Sequence, residues 1–161
     1  MLRETADGPY IPLPRSQLDY LDTQQIALDE DITPLAAWSR MTTDVSPVLR
    51  AAFALRDWVC SLAGVKSIAG FSGRTVETVS AGDHLDFFLV EYVDDRSLVL
   101  TERDRHLDVM TCISVGDRVV SVTSSVKVHN WFGRAYMLPV GIAHRRIVRS
   151  MLRRLEHARS A

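Results

Sequence analysis

The chain has 161 residues, is 47% hydrophobic and 24% charged, and carries a formal net charge of −1. This length suits one domain with a substantial core. The composition is that of a soluble globular protein, and the near-neutral charge argues against a dedicated nucleic-acid binder.

The opening residues (MLRETADGPY) contain no apolar leader, and no run reaches membrane-spanning length, which predicts a cytoplasmic protein without a membrane span. Cys60 and Cys112 lie outside any CxxC or metal-ligand spacing, so reduced, buried thiols are expected. Residues 1–18, with Pro9, Pro12 and Pro14, show no period and read as an extended N-terminal arm. Residues 19–161 then read as a single domain, beginning with a strand at 23–28. Thr33 followed by Pro34 is a helix start, a capping hydroxyl before a proline at the first helical position, and predicts a helix to about Met41. Ser46-Pro47 repeats the signal for a helix that Gly64 stops. Arg56 projects on the apolar side of this second helix, either reaching its rim or pairing with a carboxylate inside.

From Val65 the pattern changes to strands, predicted at 75–79, 85–93, 97–102, 106–115 and 118–129. Turns are expected at Asp94-Asp95 and Gly116-Asp117, and the spacings describe an antiparallel meander. Each of the last two strands has one strongly apolar face, as a curved sheet packed on one side requires. Residues 139–155 form the longest helical pattern. Val140, Ala143, Ile147, Val148, Met151, Leu152 and Leu155 make one apolar stripe, and His144 lies inside it. Arg145, Arg146, Arg149 and Arg153 fall on the opposite side. Residues 1–44 are acidic, and from Lys127 onward eight basic residues face Glu156 alone. Either the acidic half packs near the basic helix or that helix face meets an anionic partner.

The order is strand, two short helices, antiparallel sheet and long terminal helix. It predicts an α+β, helix-grip architecture, with the curved sheet wrapped around the C-terminal helix and a cavity between them.

Several segments resemble a known family. Asp104-Arg105-His106-Leu107-Asp108 resembles its D-R-H-L-D signature. The run from Asn130 through Gly133, Arg134 and Tyr136 to Pro139 and His144-Arg145 resembles its N-x-x-G-R-x-Y…P…H-R segment. Leu55-Arg56-Asp57 and Asp19-Tyr20-Leu21-Asp22 are similar to two further family segments. The family is an uncharacterised bacterial domain of unknown function, found alone or fused behind short-chain dehydrogenases. The resemblance covers the chain from about Asp19 to Leu155 and implies a START-like (SRPBCC) fold; it implies no activity. The dehydrogenase fingerprint GxGxxG is absent.

Asp104, His106 and Asp108 alternate along a predicted strand. Residues two apart on a strand are about 6.6 Å apart and residues four apart about 13 Å, so the three cannot share one metal without a bulge. No metal or cofactor is expected. His144 is either a satisfied core histidine or a group aimed at a cavity, where it can contact a ligand or act as an acid or base. Its candidate companions are Arg56, Asp86, Asp108, Trp131 and Tyr136, with Ile147 and Met151 among the apolar lining. Tyr136 can equally anchor the turn into the helix, Trp131 can cap the core, and Gly133 serves a backbone need at the bend. Phe87, Leu89, Val109, Ile113 and Val122 complete the expected lining. The expectation is a protein that binds a hydrophobic or amphipathic small molecule. The alternatives are a cyclase, hydratase or isomerase using His144, or an interaction module for a dehydrogenase; the sequence decides neither catalysis nor oligomeric state.

Overall fold

The computed structural model describes residues 3–5, 8–11, 13–43, 47, 49–51, 53, 54, 57 and 70–157. Its architecture is α+β. One six-stranded, fully antiparallel curved sheet has the order β3 (Tyr20–Ala27), β8 (Val119–Val128), β7 (Leu107–Gly116), β6 (Ser97–Arg103), β5 (Phe88–Val93) and β4 (His84–Leu85), and helices cover its inner face.

The N-terminal arm holds a small hairpin of β1 (Arg3–Thr5) and β2 (Gly8–Ile11), with β2 lying against β7. Strand β3 (Tyr20–Ala27) begins three residues earlier than its apolar pattern suggests and forms the sheet edge beside β8. Helix α1 (Pro34–Thr43) starts where Thr33 predicts: the Ala36 N–H donates to Thr33 Oγ1 at 3.2 Å. It buries Ala37, Trp38 and Met41 against the sheet. Residues 47, 49–51, 53, 54 and 57 are helical, in the span expected for the second helix. Arg56 and Cys60 lie outside the described residues.

The expected strand at 75–79 does not form; those residues have no regular structure. The strand expected at 85–93 is instead a hairpin of β4 (His84–Leu85) and β5 (Phe88–Val93). Asp86, at φ 56°, makes the turn between them. The aspartate side chain is short enough to tolerate that left-handed backbone. Strands β6 (Ser97–Arg103), β7 (Leu107–Gly116) and β8 (Val119–Val128) follow as a meander. The last turn falls one residue later than expected. Gly116 pairs with Val119, leaving Asp117 and Arg118 (φ 51° and 60°) as a two-residue loop of the twist that hairpins favour.

The terminal helix α2 (Trp131–His157) starts eight residues before the predicted beginning and runs through Pro139. Asn130 is the reason. Its Oδ1 accepts the Gly133 N–H at 3.0 Å, and its carbonyl accepts the Arg134 N–H at 3.2 Å, so the helix is nucleated ahead of the proline. His144 is therefore at the midpoint of the helix, not near its start. Ile113, Val120 and Val122 from the strands pack with Val148, Met151, Leu152 and Leu155 of α2 and with α1. On the sheet's other face Val99, Met110 and Cys112 form a second cluster with Leu21 and Tyr92.

A cavity between sheet and terminal helix

The Asp104–Asp108 motif is the turn between β6 and β7, not a strand of alternating ligands. Asp104 Oδ1 accepts the backbone N–H groups of His106 (2.6 Å) and Leu107 (2.9 Å). The Arg105 Nε–H donates to His106 Nε2 at 2.9 Å, which puts the imidazole proton on Nδ1, where it is donated to Asn130 Oδ1 at 3.2 Å. Asn130 also donates to the Arg105 carbonyl at 3.2 Å. Gly133 closes this knot. A Cβ there would stand 2.7 Å from the His106 carbonyl oxygen and 2.8 Å from Val128 Cγ1. The glycine is required for close approach rather than for its backbone angles. Asp108 points to the opposite face of the sheet and pairs with His129 at 3.1 Å. Among the described residues no three His, Cys, Asp or Glu side chains are grouped to hold a metal ion.

Beyond this knot the inner face of the sheet and α2 part to leave a partly open cavity of about 280 Å³. Trp38, Phe53, Phe71, Phe87 and Phe88 line one region, with Trp38–Phe71 and Trp38–Phe88 ring centroids 5.4 and 5.7 Å apart, edge to face. Val109, Ile113, Val122, Val140, Ile147, Val148 and Met151 form the aliphatic walls. Tyr20, Glu102, Asp104, Thr111, Ser124, Tyr136 and His144 bring polar groups to the lining.

Two of those groups lack partners. Ser124 Oγ and His144 Nδ1 are fully shielded from solvent and make no hydrogen bond; Ser124 as a residue is only 2% exposed. Nearly all buried polar atoms in folded proteins are paired, and an unmade buried bond costs about 1–3 kcal/mol. Burial pushes the His144 pKa below its ordinary value of 6.5, opposed by the carboxylate of Asp22, so the imidazole is neutral. Tyr20 meets His144 edge-on, 5.9 Å between centroids, and its hydroxyl donates to the Gly141 carbonyl at 3.3 Å. Burial raises the Tyr20 pKa as well, keeping its proton in place. Asp22 bonds Arg145 Nε (3.2 Å) and Gln24 Nε2 (2.8 Å). Asp22 stands opposite Ser124 in the β3–β8 ladder and its charge reaches His144, yet no hydrogen bond links the three as a nucleophile and its base.

Of the site residues expected from sequence, the structure brings together His144, Tyr136, Ile147 and Met151. Asp86 is at the β4–β5 turn, where its Oδ1 accepts the Ser72 N–H at 2.9 Å, and is not in the lining. Asp108 is on the far face. Trp131 neither lines the cavity nor caps the core; it is 79% exposed on the first residue of α2. Leu89 is displaced by the turn at Asp86, and Phe88 takes the inward position. Ser124 and Tyr20 escaped the sequence reading. Val120, Val122, Val126 and Val128 share a face, and the lone serine in that register was the available signal.

A curved antiparallel sheet, a long covering helix and a mostly apolar cavity between them define an α+β protein of the cavity-bearing kind. The chain belongs to the family described as "Protein of unknown function (DUF2867)", which matches residues 15–151. No curated protein and no solved structure matches it. No helix among the described residues is long and apolar enough to cross a membrane.

Proposed function

We propose that this protein binds a hydrophobic or amphipathic small molecule between its sheet and terminal helix, on a START-like (SRPBCC, helix-grip) scaffold. The observation that carries the reading is the pair of orphaned polar atoms, Ser124 Oγ and His144 Nδ1, in a mostly apolar lining. Pockets for small molecules are mostly apolar with a few polar groups that orient the occupant. The volume of about 280 Å³ has room for roughly a dozen non-hydrogen atoms at organic packing density. Glu102 and Asp104 line the cavity, and no Lys or Arg does so among the described residues. That balance favours a neutral polar head, such as a carbonyl or hydroxyl, over a carboxylate. The aromatic rings around Phe71 suit a flat apolar body.

Native mass spectrometry of the purified protein, screened against fatty acids, polyketides and quinones, tests the reading. One adduct per chain is expected from neutral ligands and little from free fatty acids. Absence of any adduct, with an interior that proves solid and dry in a crystal structure, would sink it.

A second reading is favoured by one observation, the neutral and unpartnered imidazole of His144. Such a group can take or give a proton in a cyclase, hydratase or isomerase reaction. With the molecule found by mass spectrometry as substrate, His144→Gln then abolishes conversion while thermal stability is kept. A large stability loss instead assigns the histidine a structural role.

A further inference from the structure

Among the described residues the exposed large hydrophobic side chains are Trp131 (79%), Leu138 (74%) and Ile142 (65%). All three belong to α2. At about 100° per residue they fall within about 40° of one another around the helix axis and form a single ridge about 17 Å long. The second half of the helix carries that line onward with arginine. Arg149 lies on it, and exposed Arg145 and Arg146 flank it. Arg145 pairs with Asp22. Arg146 and Arg149 make no ion pair among the described residues. Glu156, the one acidic residue of α2, ends the same line about 10 Å beyond Arg149.

We propose that this face of α2 docks on an anionic bilayer surface, independently of what the cavity holds. A protein partner needs about 800 Å² of matched surface per side, which a convex ridge one side chain wide does not offer. A second copy would set arginines against arginines or against the apolar residues. A bilayer yields to a convex ridge. Its interface accommodates Trp131, its acyl boundary takes Leu138 and Ile142, and its anionic headgroups meet Arg146 and Arg149. The helix lies flat on the surface and does not cross it.

The experiment is flotation of the full-length protein with phosphatidylcholine vesicles, with and without phosphatidylserine, at low and high salt. Binding is expected only to the anionic vesicles and only at low salt. Arg146→Gln with Arg149→Gln should weaken it about thirtyfold. Leu138→Ser with Ile142→Ser should weaken it at least tenfold. Both pairs are exposed, so circular dichroism and thermal melts should match the parent. No binding to anionic vesicles at low salt, or parent-like binding by both double variants, overturns the proposal. So does light scattering that finds a dimer converted to a monomer by Leu138→Ser with Ile142→Ser, because that result assigns the ridge to a second copy of the chain.

Discussion

Two polar clusters sit at opposite extremes of satisfaction. In the turn around Asp104, His106 and Asn130, the Asp104 and Asn130 side chains and both His106 ring nitrogens meet partners. In the cavity, Ser124 Oγ and His144 Nδ1 meet none. The first cluster fixes where α2 begins and how it meets the sheet. The second leaves hydrogen-bonding capacity unspent inside an apolar space. Histidines and aspartates grouped in a sequence resemble a reactive site, but here their completed bonds make them a joint. The unmade hydrogen bonds lie instead with a serine on β8 and a histidine on α2.

Substitution separates the two clusters most sharply at Gly133. Alanine there drives a Cβ into the His106 carbonyl. Overpacking costs should outweigh the gain in helix propensity, giving a net loss of about 2 kcal/mol and a melting temperature about 4–8 °C lower by calorimetry. Unchanged stability would mean that the knot is loose.

Asn130→Ala and Ser124→Ala form the next contrast. Removing the Asn130 cap should cost about 1–2 kcal/mol in urea denaturation, because both the first turn of α2 and His106 lose a partner. Removing the Ser124 hydroxyl should leave the unliganded protein within about 0.5 kcal/mol of the parent or slightly above it, since no bond is lost. Its effect should appear instead in retention of a bound molecule, about tenfold weaker by native mass spectrometry. Equal stability losses from the two substitutions would erase the distinction.

The smallest effect expected is on pH dependence. Burial holds the His144 pKa below 6.5, with Asp22 opposing. As pH falls, the unfolded chain takes up this proton before the folded chain does. Stability is therefore full above about pH 6.5 and declines as pH drops through and below that value. Melts of the parent and His144→Gln between about pH 7.5 and 5.5 should diverge, with the shallower slope in the variant. Parallel slopes would mean that the imidazole is as solvated as in the unfolded chain. Asp19 acts lower in the range. The Val128 N–H holds its pKa below 3.8, so its contribution is present above that value and lost in stronger acid.

The order of elements and the apolar stripe of the terminal helix were legible because hydrophobic periodicity follows burial directly. The helix start was not. Pro139 reads as a first-turn residue, and only the spatial meeting of Asn130 with Gly133 and His106 moves the start eight residues back. The hairpin at Asp86 was hidden inside an apolar run, because an aspartate at positive φ leaves no pattern among its neighbours. Of the cavity, His144, Ile147 and Met151 could be found on the helix. Ser124 stood in plain register among valines, and its importance rests on a missing partner that no sequence displays.

Strand β3 pairs along its whole length with β8, Thr23 opposite Thr123, though the two lie a hundred positions apart. Closing a loop of that size carries an entropy cost of about 4 kcal/mol before the pairing returns anything. The meander from β5 to β8 consists of near neighbours and can assemble first. Tyr20 and Asp22 then join last, together with the helix whose His144 and Arg145 they meet. Contact order thus predicts that the cavity walls close late, with the contacts of Tyr20 and Asp22 forming in the slowest refolding phase.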